Sequence, residues 1–201
     1  MKRTIFLKTF SPPPISKKEI LHYAQGKETQ ELNTKIDKLL NECESLINYK
    51  ICYCKFPISF SKDAIDLGFT KCNSKDLAKN LSGCQEIILL AATLGHSYER
   101  VLSKYIRLSP ADALILQAIG TERIEALANA FEEELKNSFA ENGITLRPRF
   151  SPGYGDLPLS LQTDIFNTLD CPKNLGIHLT PQLLMIPSKS ITAIIGLKEN
   201  K

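Results

Sequence analysis

The sequence has few of the residues from which metal centres are built, and their spacing is unfavourable. Its three histidines, His22, His96 and His178, are scattered along the chain. Its six cysteines form no Cys-x-x-Cys pair, although Cys52 and Cys54 would share one face of a strand. We therefore expect no zinc or iron–sulfur site, and free thiols agree with a reducing compartment.

The sequence also lacks long apolar runs and blocks of like charge. No stretch approaches the length of a membrane span, and the apolar part of residues 1–7 is too short for a signal peptide. The formal net charge is only +3, and the lysines are spread along the chain. We therefore expect no nucleic-acid partner and no membrane, and we expect a cytoplasmic protein.

The overall composition is that of an ordinary globular protein. Hydrophobic residues make up 43% of the chain and charged residues 23%, which is close to the average for soluble domains. A length of 201 residues is sufficient for a sizeable core. We predict one domain over residues 1–201.

Several helices are marked by capping signals and apolar spacing. Ser16 followed by Glu19 has the pattern of a capping box before a short helix. Residues 28–48 have the apolar spacing of an amphipathic helix. Ser109-Pro110 predicts the start of a long helix to about residue 139, unless Gly120 interrupts it.

The strands predict the fold class. The most apolar run, residues 84–95, predicts a central strand covered on both faces. Further strands are predicted at residues 4–10, 49–60 with a break at Pro57, 144–146, 176–180, 183–187 and 191–197. We predict an α+β fold with a central, mostly antiparallel twisted sheet and long flanking helices.

The loop of residues 147–155, Arg-Pro-Arg-Phe-Ser-Pro-Gly-Tyr-Gly, is the best candidate for a ligand site. Its prolines and glycines make it stiff and allow close approach of a ligand to the backbone. Arg149 offers a planar set of donors for a carboxylate or phosphate, and Tyr154 offers a ring and a hydroxyl. Loops of this composition are, however, usually plain connections.

A helix is predicted directly after this loop. Asp156 and Ser160 are alternative N-caps for it. Its free backbone N–H groups would then point back toward the loop and favour an anionic ligand.

Three sequence blocks carry a family resemblance. They are Glu122-Arg123-Ile124-Glu125-Ala126-Leu127-Ala128, Arg149-Phe150-Ser151-Pro152-Gly153-Tyr154, and Leu179-Thr180 with Met185-Ile186-Pro187-Ser188-Lys189-Ser190. In this order they resemble the S-adenosylmethionine-binding activation domain of vitamin B12 (cobalamin)-dependent methionine synthase. The resemblance is clearest over residues 84–197 and leaves residues 1–83 as a divergent N-terminal part. The whole chain resembles a free-standing version of that domain.

The resemblance implies a site for S-adenosylmethionine. Arg149 would hold the carboxylate of the ligand, and Glu125 would lie at its positively charged end. Backbone groups of Ser151 and Gly153 would line the ligand, and Tyr154 would hold it. On residue chemistry alone, Glu125 has the alternative of a solvated helix face. No catalytic residue and no metal ligand is predicted.

The resemblance also implies a role in methionine biosynthesis. The chain would be an activation subunit without a complete methyltransferase site of its own. It would hold S-adenosylmethionine for the reductive methylation of cob(II)alamin on a separate methionine synthase, with electrons from a flavodoxin-like donor. The cobalamin would belong to the partner, because the sequence has no Asp-x-His-x-x-Gly motif. The alternatives are a reactivator of another corrinoid methyltransferase and a non-catalytic docking protein that has lost the ligand.

Some features depart from the family pattern. The chain has no Trp, and the aromatic, acid-containing segment that begins the ligand site of the fused domains is not located. Ile195 stands where a ligand-contacting tyrosine is expected, and Gly155-Asp156 replaces the usual Pro-x after the tyrosine. These departures are compatible with a remodelled, weakened or lost methyl-donor site.

Overall fold

The computed structural model describes residues 4–200, so the predicted domain of residues 1–201 extends beyond them at both ends. Within this range the α-helices are α1 (Lys17–Tyr23), α2 (Gln30–Cys43), α3 (Lys75–Asn80), α4 (His96–Leu108), α5 (Pro110–Ala140), α6 (Leu161–Leu169) and α7 (Cys171–Leu175), and a short 3-10 helix (Glu44–Leu46) follows α2. The strands are β1 (Phe6–Thr9), β2 (Lys50–Pro57), β3 (Ser59–Phe60), β4 (Ile65–Asp66), β5 (Lys71–Cys72), β6 (Glu86–Thr93), β7 (Ile144–Leu146), β8 (His178–Leu179), β9 (Met185–Ile186) and β10 (Ser190–Glu199).

The main sheet of the described chain has the strand order β1-β2-β6-β10-β7, and every neighbouring pair is antiparallel. Strand β6 lies in the middle and pairs with β2 and β10 along its whole length. Two small sheets, β3-β4-β5 and β8-β9, lie beside it. The predicted α+β class with an antiparallel sheet and a central strand at residues 84–95 is confirmed.

Helices cover both faces of the main sheet. Successive residues of a strand point to opposite faces, so Ile88 and Leu90 of β6 join one core and Ile87 and Leu89 join the other. The first core contains α1, α2, α4 and α5, and the second contains α3, α6 and α7. Two buried faces explain why β6 has a continuous apolar sequence rather than an alternating one.

Helix α5 runs for 31 residues without a break. Ser109 caps it through its hydroxyl and Pro110 occupies its first turn, as predicted. Gly120 does not interrupt it. A Cβ atom there would lie 2.6 Å from a ring carbon of Tyr98 and 2.9 Å from the Lys189 side chain, so Gly120 allows two neighbouring segments to pack closely against α5.

The segment before α1 is fixed to α5 by a fully buried arginine. Arg123 donates from Nη1 to the carbonyl of Pro13 at 2.7 Å and from Nη2 to that of Pro14 at 2.8 Å. Its guanidinium also contacts both carboxylate oxygens of Glu122 at 2.6 Å. Glu122 in turn accepts the backbone N–H of Ser16 at 3.0 Å. Together these bonds hold the proline segment across α5.

The predicted capping box at α1 is half correct. The hydroxyl of Ser16 accepts the N–H of Glu19 at 3.4 Å, so Ser16 is the N-cap. The N–H of Ser16, however, donates to Glu122 of α5 and not to Glu19. A buried carboxylate on a neighbouring helix has replaced the local partner that the pattern predicts.

Substitution of Arg123 tests this arrangement. Arg123→Met should lower the free energy of unfolding by about 3–5 kcal/mol, because it leaves the buried Glu122 carboxylate without its partner. The double variant Glu122→Gln/Arg123→Met should be less destabilised than the single variant. Urea unfolding measures both, with the exposed Arg107→Met as control. A single variant within about 1 kcal/mol of the wild type would contradict the proposed importance of the pair.

Candidate functional site

The candidate loop continues the β7–β10 ladder through a one-residue bulge. Leu146 lies opposite Leu197, and Phe150 lies opposite Ile194. Four steps along the loop therefore correspond to three along β10, which is the signature of an extra residue in one strand. Backbone hydrogen bonds in both directions between Phe150 and Ile194, each 2.9 Å, close the ladder after the bulge.

The bulge decides where Arg149 points. Opposite residues in an antiparallel ladder share a face, and Phe150 accordingly joins Ile194 in the core beside α6. In an unbulged ladder Arg149 would take that position, because a shift of one residue exchanges the faces. With the bulge, Arg149 instead lies against α5.

Arg149 contacts a row of polar side chains on α5. Its Nη2 donates to Glu125 Oε2 at 3.1 Å and to Asn129 Oδ1 at 2.9 Å, and its Nε lies 2.8 Å from Glu132 Oε1. These three residues are spaced four and three apart, so they occupy one face of the helix. Nη1 is buried, and it has no hydrogen-bond partner among residues 4–200. The structure thus brings together Arg149 and Glu125.

A cavity of about 470 Å³ adjoins this pair, between α5 and the α1 segment. Its walls include Pro13, Pro14, Glu19, Tyr23, Glu122 and Glu125. The volume is in the range of small-molecule sites. Three of the lining side chains are carboxylates, and no lysine or arginine of the described chain lines the cavity.

Tyr23 is a wall residue that the sequence did not predict. Its side chain is 39% exposed. Partial burial raises the pKa of its phenol, Glu125, Glu19 and Glu122 raise it further, and Arg149 opposes them. The phenol is therefore uncharged at neutral pH.

One signal could have located this wall. Glu19 and Tyr23 are four residues apart on a predicted helix, so they share a face. The family resemblance called for an aromatic, acid-containing segment, and α1 carries an acid and an aromatic ring on the cavity wall. Because α1 lies in the divergent N-terminal part, the resemblance did not point to these two residues.

The remaining predicted site residues lie elsewhere on the loop. The carbonyl of Ser151 accepts the N–H of Tyr154 at 3.1 Å, and the N–H of Gly153 donates to the carbonyl of Leu157 at 2.9 Å. Gly153 has a positive φ of 87°. Tyr154 is 73% exposed and packs edge-on against Phe150, with ring centroids 6.1 Å apart. Their roles toward a ligand stay predictions.

Tyr154 faces a second groove, separate from the cavity beside Glu125. This groove of about 620 Å³ is lined by Lys79, Asn80, Arg147, Pro148 and Tyr154, among others. Arg147 donates to the carbonyl of Ser82 at 2.9 Å. The two arginines of the loop therefore lie on opposite sides of it, and Tyr154 is on the side of Arg147.

Asp156 caps a different helix from the one predicted. Its carboxylate accepts the hydroxyl of Ser74, the N–H of Lys75 at 2.7 Å and the N–H of Asp76 at 3.2 Å, all at the start of α3. Gly155 has a positive φ of 54°, and a Cβ there would collide with the Asp76 carboxylate. The Gly-Asp pair that departs from the family pattern thus fastens the loop to α3.

The predicted anion site at the start of α6 is not formed. Ser160 precedes α6 but makes no side-chain cap. The N–H groups of Leu161, Gln162 and Thr163 donate to the carbonyls of Pro158, Leu159 and Ser160. A tight turn before the helix therefore satisfies the donors that were expected to face the loop.

Ile195, in the place of the expected tyrosine, is fully buried in the core on the α5 side of the sheet. Within residues 4–200 there is no group of three or more His, Cys, Asp or Glu side chains that could hold a metal ion. The same residues contain no helix of the length and apolarity needed to cross a membrane.

Comparisons with known proteins define the class of fold. No model of a known protein family matches the chain, and no curated protein sequence matches it. Among solved structures, the chain is similar to the MetH reactivation domain bound to AdoHcy, with a TM-score of 0.70 and 17% sequence identity. The match covers 100% of this chain and 80% of that one. The chain therefore has the fold of a methionine synthase reactivation domain, as the sequence resemblance implied.

The cap that Asp156 forms on α3 should make part of the thermal stability of the protein depend on pH. The bonds from Ser74, Lys75 and Asp76 hold the pKa of Asp156 below its ordinary value of 3.8. A carboxyl whose pKa is lower in the folded than in the unfolded protein stabilises the fold fully at pH values above the unfolded pKa. This stabilisation decreases as the pH falls below the unfolded pKa, and it is lost once the pH has fallen through the folded pKa. Asp156→Ala should therefore lower the thermal midpoint at pH 7, and by less at about pH 3, where the unfolded carboxyl is already largely protonated.

Thermal unfolding at the two pH values measures this difference. Asp63→Ala, which removes an exposed aspartate, is the control and should have little effect at either pH. An equal loss of stability for Asp156→Ala at both pH values would show that the charge of Asp156 does not matter.

Proposed function

We propose that this chain is an S-adenosylmethionine-binding activation subunit. It supports the reductive methylation of cob(II)alamin on a separate cobalamin-dependent methionine synthase. The observation that carries the proposal is the Glu125–Arg149 pair beside the cavity, in a chain whose fold matches a reactivation domain bound to AdoHcy. The family resemblance in the sequence implied a ligand role for both residues.

The pair suits the amino-acid end of the ligand. Glu125 lines the cavity, and the guanidinium of Arg149 lies behind it at 3.1 Å. An α-amino acid zwitterion carries the two opposite charges. The ammonium group of the ligand would lie at Glu125, and its carboxylate at Arg149. Because Nη1 of Arg149 is buried and Arg149 does not line the cavity, the ligand carboxylate would reach the guanidinium only after the Arg149 side chain turns toward the cavity.

The chain contributes binding and position rather than a complete reaction. S-adenosylmethionine supplies an activated methyl group on a sulfonium, and the cobalt belongs to the cobalamin of the partner. In the described residues, Arg149 and Glu125 orient the ligand, and the proline segment held by Arg123 closes one side of the cavity. A flavodoxin-like protein is the proposed electron donor, and the cytoplasm is the proposed compartment.

A second candidate is a docking protein that has kept the fold and lost the ligand. Two observations favour it. Tyr154 faces the groove on the other side of the loop, and the position of the expected tyrosine is filled by the buried Ile195. In either case the partner could be a corrinoid methyltransferase other than methionine synthase.

Calorimetric titration with S-adenosylmethionine tests the assigned site. Arg149→Ala should weaken binding by about 10- to 100-fold, because a charge-assisted contact contributes about 1.5–3 kcal/mol. Arg147→Ala is the matched control. It removes an arginine from the same loop but from its opposite side, and it should change the affinity by less than about threefold.

The outcomes separate the candidates. Binding that Arg149→Ala weakens and Arg147→Ala does not would justify a reactivation assay with a methionine synthase that lacks its own activation domain. No heat from the wild type at millimolar ligand would favour the docking protein. Equal losses in both variants would place the ligand on the loop as a whole rather than in the α5 cavity.

A further inference from the structure

The two walls of the cavity come from different parts of the sequence. One wall is α5, which carries Glu122 and Glu125, and the other is α1, which carries Glu19 and Tyr23. The first wall lies within the part of the chain that resembles the family, whereas the second lies in the divergent part. The α1 wall is therefore where this chain can differ in what its site recognises.

The charge inside the cavity is negative. Glu19, Glu122 and Glu125 line it, while Arg123 and Arg149 contact two of these carboxylates from outside the lining. Both oxygens of Glu122 are taken up by Arg123, and Glu125 is bonded to Arg149 through Oε2. A ligand in the cavity therefore meets carboxylates directly and the guanidinium groups only behind them.

Tyr23 adds an aromatic ring to this negative field. The uncharged phenol ring has a π face that attracts a cation, and carboxylates around it strengthen that attraction. A ring beside acidic side chains is the chemistry by which proteins recognise onium groups. The ring is partly exposed, so it is accessible from the cavity.

We infer that Tyr23 and Glu19 recognise the sulfonium of the ligand, so that the site binds S-adenosylmethionine in preference to S-adenosylhomocysteine. This inference rests on the proposed function. The zwitterionic end is common to both compounds and belongs to Glu125 and Arg149. Only the sulfonium differs, because loss of the methyl group leaves the bonding pair on sulfur as a neutral thioether.

The preference has a consequence for turnover. The ligand loses its extra positive charge when its methyl group leaves, and its attraction to the α1 wall falls at the same moment. S-adenosylmethionine then displaces S-adenosylhomocysteine because it binds the site more tightly. No conformational step is required for this exchange.

Calorimetry with three ligands tests the inference. The probes are S-adenosylmethionine, S-adenosylhomocysteine and sinefungin, in which a carbon bearing an ammonium group replaces the sulfonium. We expect the wild type to bind both cationic compounds about tenfold or more tightly than S-adenosylhomocysteine. Tyr23→Leu should reduce this ratio to about threefold or less while leaving the affinity for S-adenosylhomocysteine within about threefold.

Matched variants separate charge recognition from packing. Tyr23→Phe keeps the ring and should keep the ratio, and Glu19→Gln should lower it. Tyr105→Leu on α4 and the exposed Glu28→Gln are controls outside the cavity, and neither should change the ratio. Circular dichroism of each variant checks that α1 is retained.

Each result has a definite meaning. Equal binding of all three compounds by the wild type would overturn the inference and leave the proposed function intact. Equal weakening of all three by Tyr23→Leu would also overturn it, since the ring would then act by packing alone. No binding of any compound would overturn the proposed function and this inference with it.

Discussion

The buried guanidinium of Arg123 is the constraint on which the candidate site depends. An arginine does not lose its charge in a protein, so the fold must supply acceptors for a planar fork of donors. The acceptors come from Glu122 beside it and from the carbonyls of Pro13 and Pro14. Because prolines have no N–H, their segment cannot pair as an ordinary strand. The arginine gives that segment its place against α5, and the cavity follows from it.

The loop after β7 is fixed by two separate devices. The bulge against β10 turns Arg149 toward α5, and the Asp156 carboxylate ties the far end of the loop to the start of α3. Between these anchors the loop presents Arg149 on one side and Tyr154 on the other. The loop therefore contributes to two surfaces. On the α5 side Arg149 lies behind a cavity lined by carboxylates, and on the other side Tyr154 lines a groove.

The site combines the two parts of the chain that the sequence distinguishes. The helix with Glu125 and the loop with Arg149 belong to the part that resembles reactivation domains, and α1 with Tyr23 belongs to the divergent part. The fold match extends over both parts. The methyl-donor binding that we propose therefore rests on the joint cavity rather than on the loop alone, which in isolation is also compatible with a docking surface.

The sequence by itself determined the elements with local signals. Ser109-Pro110 begins α5, and the apolar run of residues 84–95 becomes the buried central strand, because caps and hydrophobic patterns act within a few residues. Only the tertiary structure decided which way the loop side chains point. Arg149 contacts Glu125 because a bulge in the ladder with β10 turns its side chain toward α5. Asp156 caps α3, which begins some eighty residues earlier in the chain. Such partners meet only after the sheet has set its register, and no local propensity encodes that.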